Sequence, residues 1–197
     1  MIYGEKDKYE GDEATEETCG WSRDITEFWY LKHLKPLLEL DFELKPRFFG
    51  DESVANINSL IEESLGDGAP IICFYDEDVT QWNHVEAQRI KCLHDKYDKN
   101  ENVMLACSMP SIEYWFLLHY ENTNKYLRTS GDAIKALKKY IPQFDKKIHF
   151  LEQAKWVEDL IKENKMNKAM QRAEKFGRNG SSYTDVWKAM KKINENK

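Results

Sequence analysis

The chain lacks most of the features that announce a function by themselves. Its four cysteines, Cys19, Cys73, Cys92 and Cys107, include no Cys-x-x-Cys pair, so no metal or redox motif of that kind is present. Cys73 and Cys107 sit inside apolar runs and read as buried free thiols. No apolar run approaches the roughly 18 residues of a membrane span, and no signal-peptide pattern opens the chain. A cytoplasmic, reducing setting is the expectation. There is no Gly-x-x-x-x-Gly-Lys loop, which argues against ATP binding by this chain. Internal repeats and low-complexity linkers are also missing. Positive charge is in short supply: 29 Lys and Arg stand against 35 Asp and Glu, a net −6. Such a chain does not coat nucleic acid by bulk charge, although a local basic face remains open to it.

What is present suits a folded domain. The 197 residues are 41% hydrophobic and 13% aromatic, enough to bury a core without staples. Helical and extended patterns alternate. A capping-box pattern at Asp24 and Glu27 opens a helix to about Leu40, with Pro36 late in it. "FELKPRFF" (Phe42 to Phe49) reads as a strand, with Pro46 suggesting an edge. A helix follows from Asp51 or Ser53 to Leu65. "IICFY" and "NVMLACS" are continuous apolar runs, the signature of strands buried on both faces. Between them a helix is predicted from Gln81 to Tyr97, with Trp82, Val85, Ile90 and Leu93 on its apolar side. This β/α spacing predicts an α/β fold with a mostly parallel sheet flanked by helices. Beyond Ser111 the pattern is helical, ending in a helix capped by Ser181 or Ser182. The expected organisation is a core over 1–120, with 1–23 an irregular leader, and a helical C-terminal extension over 121–197.

In open α/β sheets, sites form beyond the carboxyl ends of strands. "ICFYDEDV" places Asp76 and Asp78 at one such end, two residues apart and so on the same side of an extended backbone. A divalent cation between them is one answer to their mutual repulsion. Capping of the following helix is the other. "SMPS" (Ser108 to Ser111) lies at a second strand end. Glu113 just beyond it is either a structural acid or part of such a site. His119 reads as a core or surface histidine. Lys168, Arg172, Lys175 and Arg178 are spaced to form a basic stripe toward phosphates, or a solvated helix face.

"SMPSIEYWFLLHY" resembles the Ser-Asn-Pro-x-x-Glu-x-Trp-x-x-x-His signature of RloB-like proteins, a Toprim-related family found beside restriction and abortive phage-resistance genes. "TEFWYLKHL", "ICFYDEDV" and "NGSSYTDVWKAMKKI" resemble further pieces of that family, in its order. The resemblance implies a Toprim-like sheet and a metal site in which Asp76 and Asp78 hold Mg²⁺ or Mn²⁺ for phosphodiester chemistry. It also implies a separately encoded ATPase partner and nucleic acid as substrate. At the front the chain departs from the family: Cys19-Gly20 lacks the glutamate of a Cys-Glu-Gly-type turn. Glu5 or Glu17 is the stand-in for that acid/base residue, with Glu113 supporting. The expected activity is a metal-dependent nuclease of a phage-defence locus. The alternatives are a catalytically silent interaction subunit that regulates the ATPase, and a phosphotransferase or hydrolase acting on a nucleotide.

Overall fold

A computed structural model describes residues 18–22, 25–40, 42–46, 54–66, 68 and 70–195. The chain is α/β. The strands are β1 (Thr18–Ser22), β2 (Phe42–Pro46), β3 (Ile71–Asp76), β4 (Val103–Met109) and β5 (Tyr183–Thr184). They lie in the order β2-β1-β3-β4-β5. The β1–β2, β1–β3 and β3–β4 pairs are parallel, and β5 runs antiparallel to β4. β1 falls inside the segment that sequence patterning leaves as an irregular leader. A five-residue strand containing a glycine carries no alternation of its own; two neighbouring strands supply its hydrogen bonds.

The helices between the strands are α1 (Ile25–Leu37), α2 (Val54–Gly66) and α3 (His84–Tyr97). After β4 come α4 (Ile112–Leu118), α5 (Ser130–Leu137), α6 (Ile148–Leu151), α7 (Lys155–Ile161), α8 (Lys165–Phe176) and α9 (Val186–Glu195). Pro36 falls in the last turn of α1, where its ring precludes little further helix. The proposed caps Asp24, Asp51 and Ser53 lie outside the described residues.

Side-chain alternation along β3 and β4 splits the interior in two. Ile72, Phe74 and Ala106 face a large core that contains α1, α4 and the C-terminal helices, with Trp115, Phe116, Phe144 and Trp156 at its centre. Ile71, Cys73, Tyr75, Leu105 and Cys107 face a smaller core closed by α2 and α3. Both faces of the two strands are therefore covered, which explains their unbroken apolar sequence. The Trp115 indole donates to the Tyr30 hydroxyl at 3.0 Å and fastens α4 to α1.

The sequence reading differs from the structure at α3. A 3-10 helix, Asp78–Gln81, intervenes after β3. Asn83 then caps α3, its Oδ1 accepting from the Val85 and Glu86 amides. Starting three residues late turns Trp82 and Val85 out to solvent, at 62% and 61% exposed. At the other end, Ser182 does not cap α9; its hydroxyl accepts from the Leu127 amide at 2.8 Å.

Candidate active site at the carboxyl edge of the sheet

The last residue of β3, Asp76, lies in register with Ser108 of β4 and, by alternation, faces the large core. Its Oδ1 accepts from the Ile112 amide at 2.9 Å, so the start of α4 is capped from a neighbouring strand. Ser111 holds the N-cap position with an extended backbone but makes no capping bond. Its hydroxyl donates instead to Glu113 Oε2 at 2.5 Å. The Glu113 side chain is wholly buried, and Lys146 Nζ stands 3.4 Å from its Oε1. That lysine answers the charge without the alignment of a hydrogen bond. Asp78, half-buried, opens the 3-10 helix on the same rim.

A further acid reaches this rim from α1. Glu27 is 1% exposed and precedes Tyr30, Leu31 and Leu34 on the core-facing stripe. α1 and α4 each follow a parallel strand, so both begin at the carboxyl edge. The Tyr30–Trp115 hydrogen bond sets their register. Glu27 lies one turn before Tyr30 on α1, as Ile112, whose amide Asp76 holds, lies one turn before Trp115 on α4.

The residue between the two aspartates points the other way. Glu77, buried, enters the smaller core and meets His94 of α3, with His94 Nε2 2.7 Å from Glu77 Oε1. His94 Nδ1 lies 2.8 Å from Asp98 Oδ1. The Tyr75 hydroxyl stands 2.9 Å from His94 Nε2, and the Tyr183 hydroxyl donates a short bond to Glu77 Oε2. Arg178 approaches from the loop after α8. Its guanidinium lies 2.7 Å from Asp185 Oδ2 and 2.7 Å from Cys107 Sγ, with its carbon 5.1 Å from the centre of the Tyr183 ring.

Burial alone would raise the Glu77 carboxyl. The bonds from His94 and Tyr183 and the charge of Arg178 outweigh it and hold the pKa at about 2. Burial lowers His94, but its bonds to Glu77 and Asp98 raise it more, and the net direction is up. Burial and the neighbouring Glu77 charge push the Cys107 thiol well above its ordinary range.

A family model described as RloB-like protein matches residues 52–193, most of the chain. The chain belongs to the RloB-like protein family. No curated protein and no solved structure matches it. The family match contains β3, β4 and both faces of this edge, including Asp76, Asp78, Glu113 and Arg178. β1 and α1 precede it, so the likeness of "TEFWYLKHL" to the RloB-like first helix stands outside the matched segment.

In this RloB-like chain one cluster among the described residues brings ligand atoms within reach of a shared cation, a second set of acids lies along the carboxyl edge, and their donors differ. Ligand atoms of Glu77, His94 and Cys107 lie within 4.8 Å of one another. That group already has its cation, however. Arg178 contacts the Cys107 sulfur, both His94 nitrogens face carboxylates, and the thiol is held protonated. It fits a metal poorly without loss of the arginine. Asp76, Asp78, Glu27 and Glu113 offer only carboxylate oxygens, the hard donors that suit Mg²⁺ or Mn²⁺.

Of the residues that the sequence nominates, Asp76, Asp78 and Glu113 come to one edge. Glu5 and Glu17 lie outside the described residues. Lys168 and Lys175 are exposed on α8, and Arg172 of the same helix donates to the Leu118 carbonyl at 2.6 Å. Arg178 leaves that row. Gly177, at φ +53°, ends the helix and turns the guanidinium inward to Asp185. His119 is a core histidine, its Nδ1 against the Trp115 carbonyl and its pKa lowered by burial to about 3. Sequence reasoning missed Glu27, Glu77, His94 and Tyr183. For Glu77 the available signal was its place two residues after Tyr75, which it joins; the extended backbone expected to put Asp76 and Asp78 on one side ends at Asp76, and Asp78 opens a 3-10 helix.

Proposed function

We propose that this RloB-like chain is a metal-dependent phosphodiesterase of the Toprim type, acting on nucleic acid in phage defence with a separately encoded ATPase. One observation carries the reading. Acids in the first turns of α1 and α4 and at the end of β3 lie along the carboxyl edge of adjacent strands, where α/β sheets place their sites. Burying a carboxylate such as Glu113 is costly unless it is paired or bound to a cation. Asp76 and Asp78 are assigned to hold Mg²⁺ or Mn²⁺, which when bound would offset phosphate charge and polarise the scissile group. Glu113 and Glu27 are assigned to orient water and carry the proton, with Lys146 Nζ 3.4 Å from Glu113. Lys168, Arg172 and Lys175 on α8 supply a basic row for the phosphate backbone.

A second reading, an interaction subunit without catalysis, is favoured by the bond between Asp76 and the Ile112 amide, which gives that aspartate a structural task. Calorimetric titration with Mn²⁺ separates the two, alongside cleavage assays on labelled DNA and RNA. On the catalytic reading the wild type binds Mn²⁺ and cleaves, and Asp76→Asn/Asp78→Asn does neither. A wild type that binds no Mn²⁺ removes it.

A further inference from the structure

Trp82 is 62% exposed and Tyr126 52% exposed, and with Val85 they make up three of the five large hydrophobic side chains exposed among the described residues. They belong to two segments that are fastened together. The Tyr126 hydroxyl donates to Gln81 Oε1 at 3.2 Å, and Gln81 Nε2 donates to the Arg128 carbonyl at 2.9 Å. Gln81 is the chain neighbour of Trp82. The loop after α4 is thus pinned against the 3-10 helix that begins with Asp78, and both rings stand on the rim beside the acidic edge.

The exposed charges on the two segments that carry these rings are basic. Within residues 81–89 and 125–128, Arg89, Lys125 and Arg128 are exposed, with Asp78 at the start of the adjoining 3-10 helix. The one acid in those stretches, Glu86, is buried, with Arg89 Nη1 2.5 Å from one oxygen and the Val54 amide 3.0 Å from the other. On a chain of net charge −6 this is a local reversal. Flat rings interleaved with cations suit a polyanion that also presents faces for stacking. Single-stranded nucleic acid does so; a duplex keeps its bases stacked on one another.

We infer that Trp82 and Tyr126 form a stacking platform for unpaired bases, with Lys125 and Arg128 holding the adjoining phosphates, so that the ligand of this surface is single-stranded DNA or RNA. The inference deepens the phosphodiesterase reading, on which it rests for what becomes of the bound strand. Binding itself needs neither the metal nor the acids.

The test is fluorescence anisotropy of the full chain in EDTA. The probes are labelled oligothymidylate, oligouridylate and a duplex of equal length. Wild type binds the single strands more tightly than the duplex. Trp82→Ala and Tyr126→Ala each weaken single-strand binding by about tenfold, while Trp82→Phe keeps most of it. Lys125→Gln/Arg128→Gln lowers the salt dependence by about the two charges removed. All four side chains are exposed, so the variants fold, which circular dichroism verifies. Asp76→Asn/Asp78→Asn binds single strands like wild type even where Mn²⁺ binding is lost, so failure of the catalytic reading leaves this result standing. Equal affinity for duplex, no binding of any nucleic acid, or ring variants that bind like wild type would each overturn the inference.

Discussion

Glu77 and His94 meet at 2.7 Å between Oε1 and Nε2, joining the end of β3 to α3 beneath the proposed acidic edge. Both groups are more ionised in the folded chain than in the unfolded one, and this sets a window of stability. Glu77, lowered from 4.5 to about 2, contributes fully above pH 4.5, and the contribution is lost as pH falls toward 2. His94, raised from 6.5, contributes fully below pH 6.5 and loses that contribution as pH rises through its folded value. Thermal melts in EDTA are expected to show this pair's contribution greatest between about pH 4.5 and 6.5. In His94→Gln the decline on the alkaline side is shallower than in wild type; an unchanged slope there would rule out the imidazolium.

Arg178 offers a second measurement. If its task is internal, Arg178→Met removes one of the cations beside Asp185 and Glu77, which keep Lys188 and His94, and destabilises the fold by about 1–3 kcal/mol in urea melts. Arg178→Lys recovers little of this, because an ammonium lacks the fork that reaches Asp185 and the Cys107 sulfur together. A loss of nucleic-acid affinity with unchanged stability would instead return Arg178 to the basic row.

The two tasks of Asp76 come apart by choice of substitution. Asp76→Asn keeps an oxygen for the Ile112 amide, so stability falls by under about 1 kcal/mol. Asp76→Ala loses the cap as well and costs about 1–2 kcal/mol. Mn²⁺ binding is lost in both. Retention of full Mn²⁺ affinity by Asp76→Asn would show that the aspartate is a cap alone.

Glu113 is separable in the same manner. Glu113→Gln keeps an acceptor for the Ser111 hydroxyl and changes stability by about 1 kcal/mol or less, yet nuclease activity drops at least about tenfold if the carboxylate moves a proton. Glu113→Ala leaves Ser111 buried without that partner and costs roughly 2–3 kcal/mol. Equal activity of wild type and Glu113→Gln would make this a structural acid.

The legible parts of this chain were those with a long pattern. β3 and β4 were readable because both of their faces are covered, and α4 because an aromatic run follows "SMPS". The beginning of α3 was not readable, since Trp82 and Val85 fit a helical stripe and only the competing cap at Asn83 puts them outside it. β1 and β5 carry five and two residues, too few for periodicity, and exist through the strands beside them. At the site, Asp76 and Asp78 could be found by their placement at a strand end. Glu77 follows Tyr75 by two residues and joins it in the smaller core, a placement that the two flanking aspartates obscure. His94 has one carboxylate partner four residues on, Asp98, but its buried one, Glu77, lies 17 positions earlier, outside α3 and beyond the reach of helical spacing. Glu27 reads as half of a capping box, and only the fold shows that it is buried.

The order of synthesis gives β5 a separate meaning. Tyr183, which fills the second oxygen of Glu77, is separated from it by 106 positions, and Asp185 follows immediately after β5. A nascent chain can lay down β3, α3 and β4 while this carboxylate still awaits its last donor. The polar clasp under the rim closes only when the segment that carries Tyr183 emerges from the ribosome, so products cut short before it leave Glu77 without that donor.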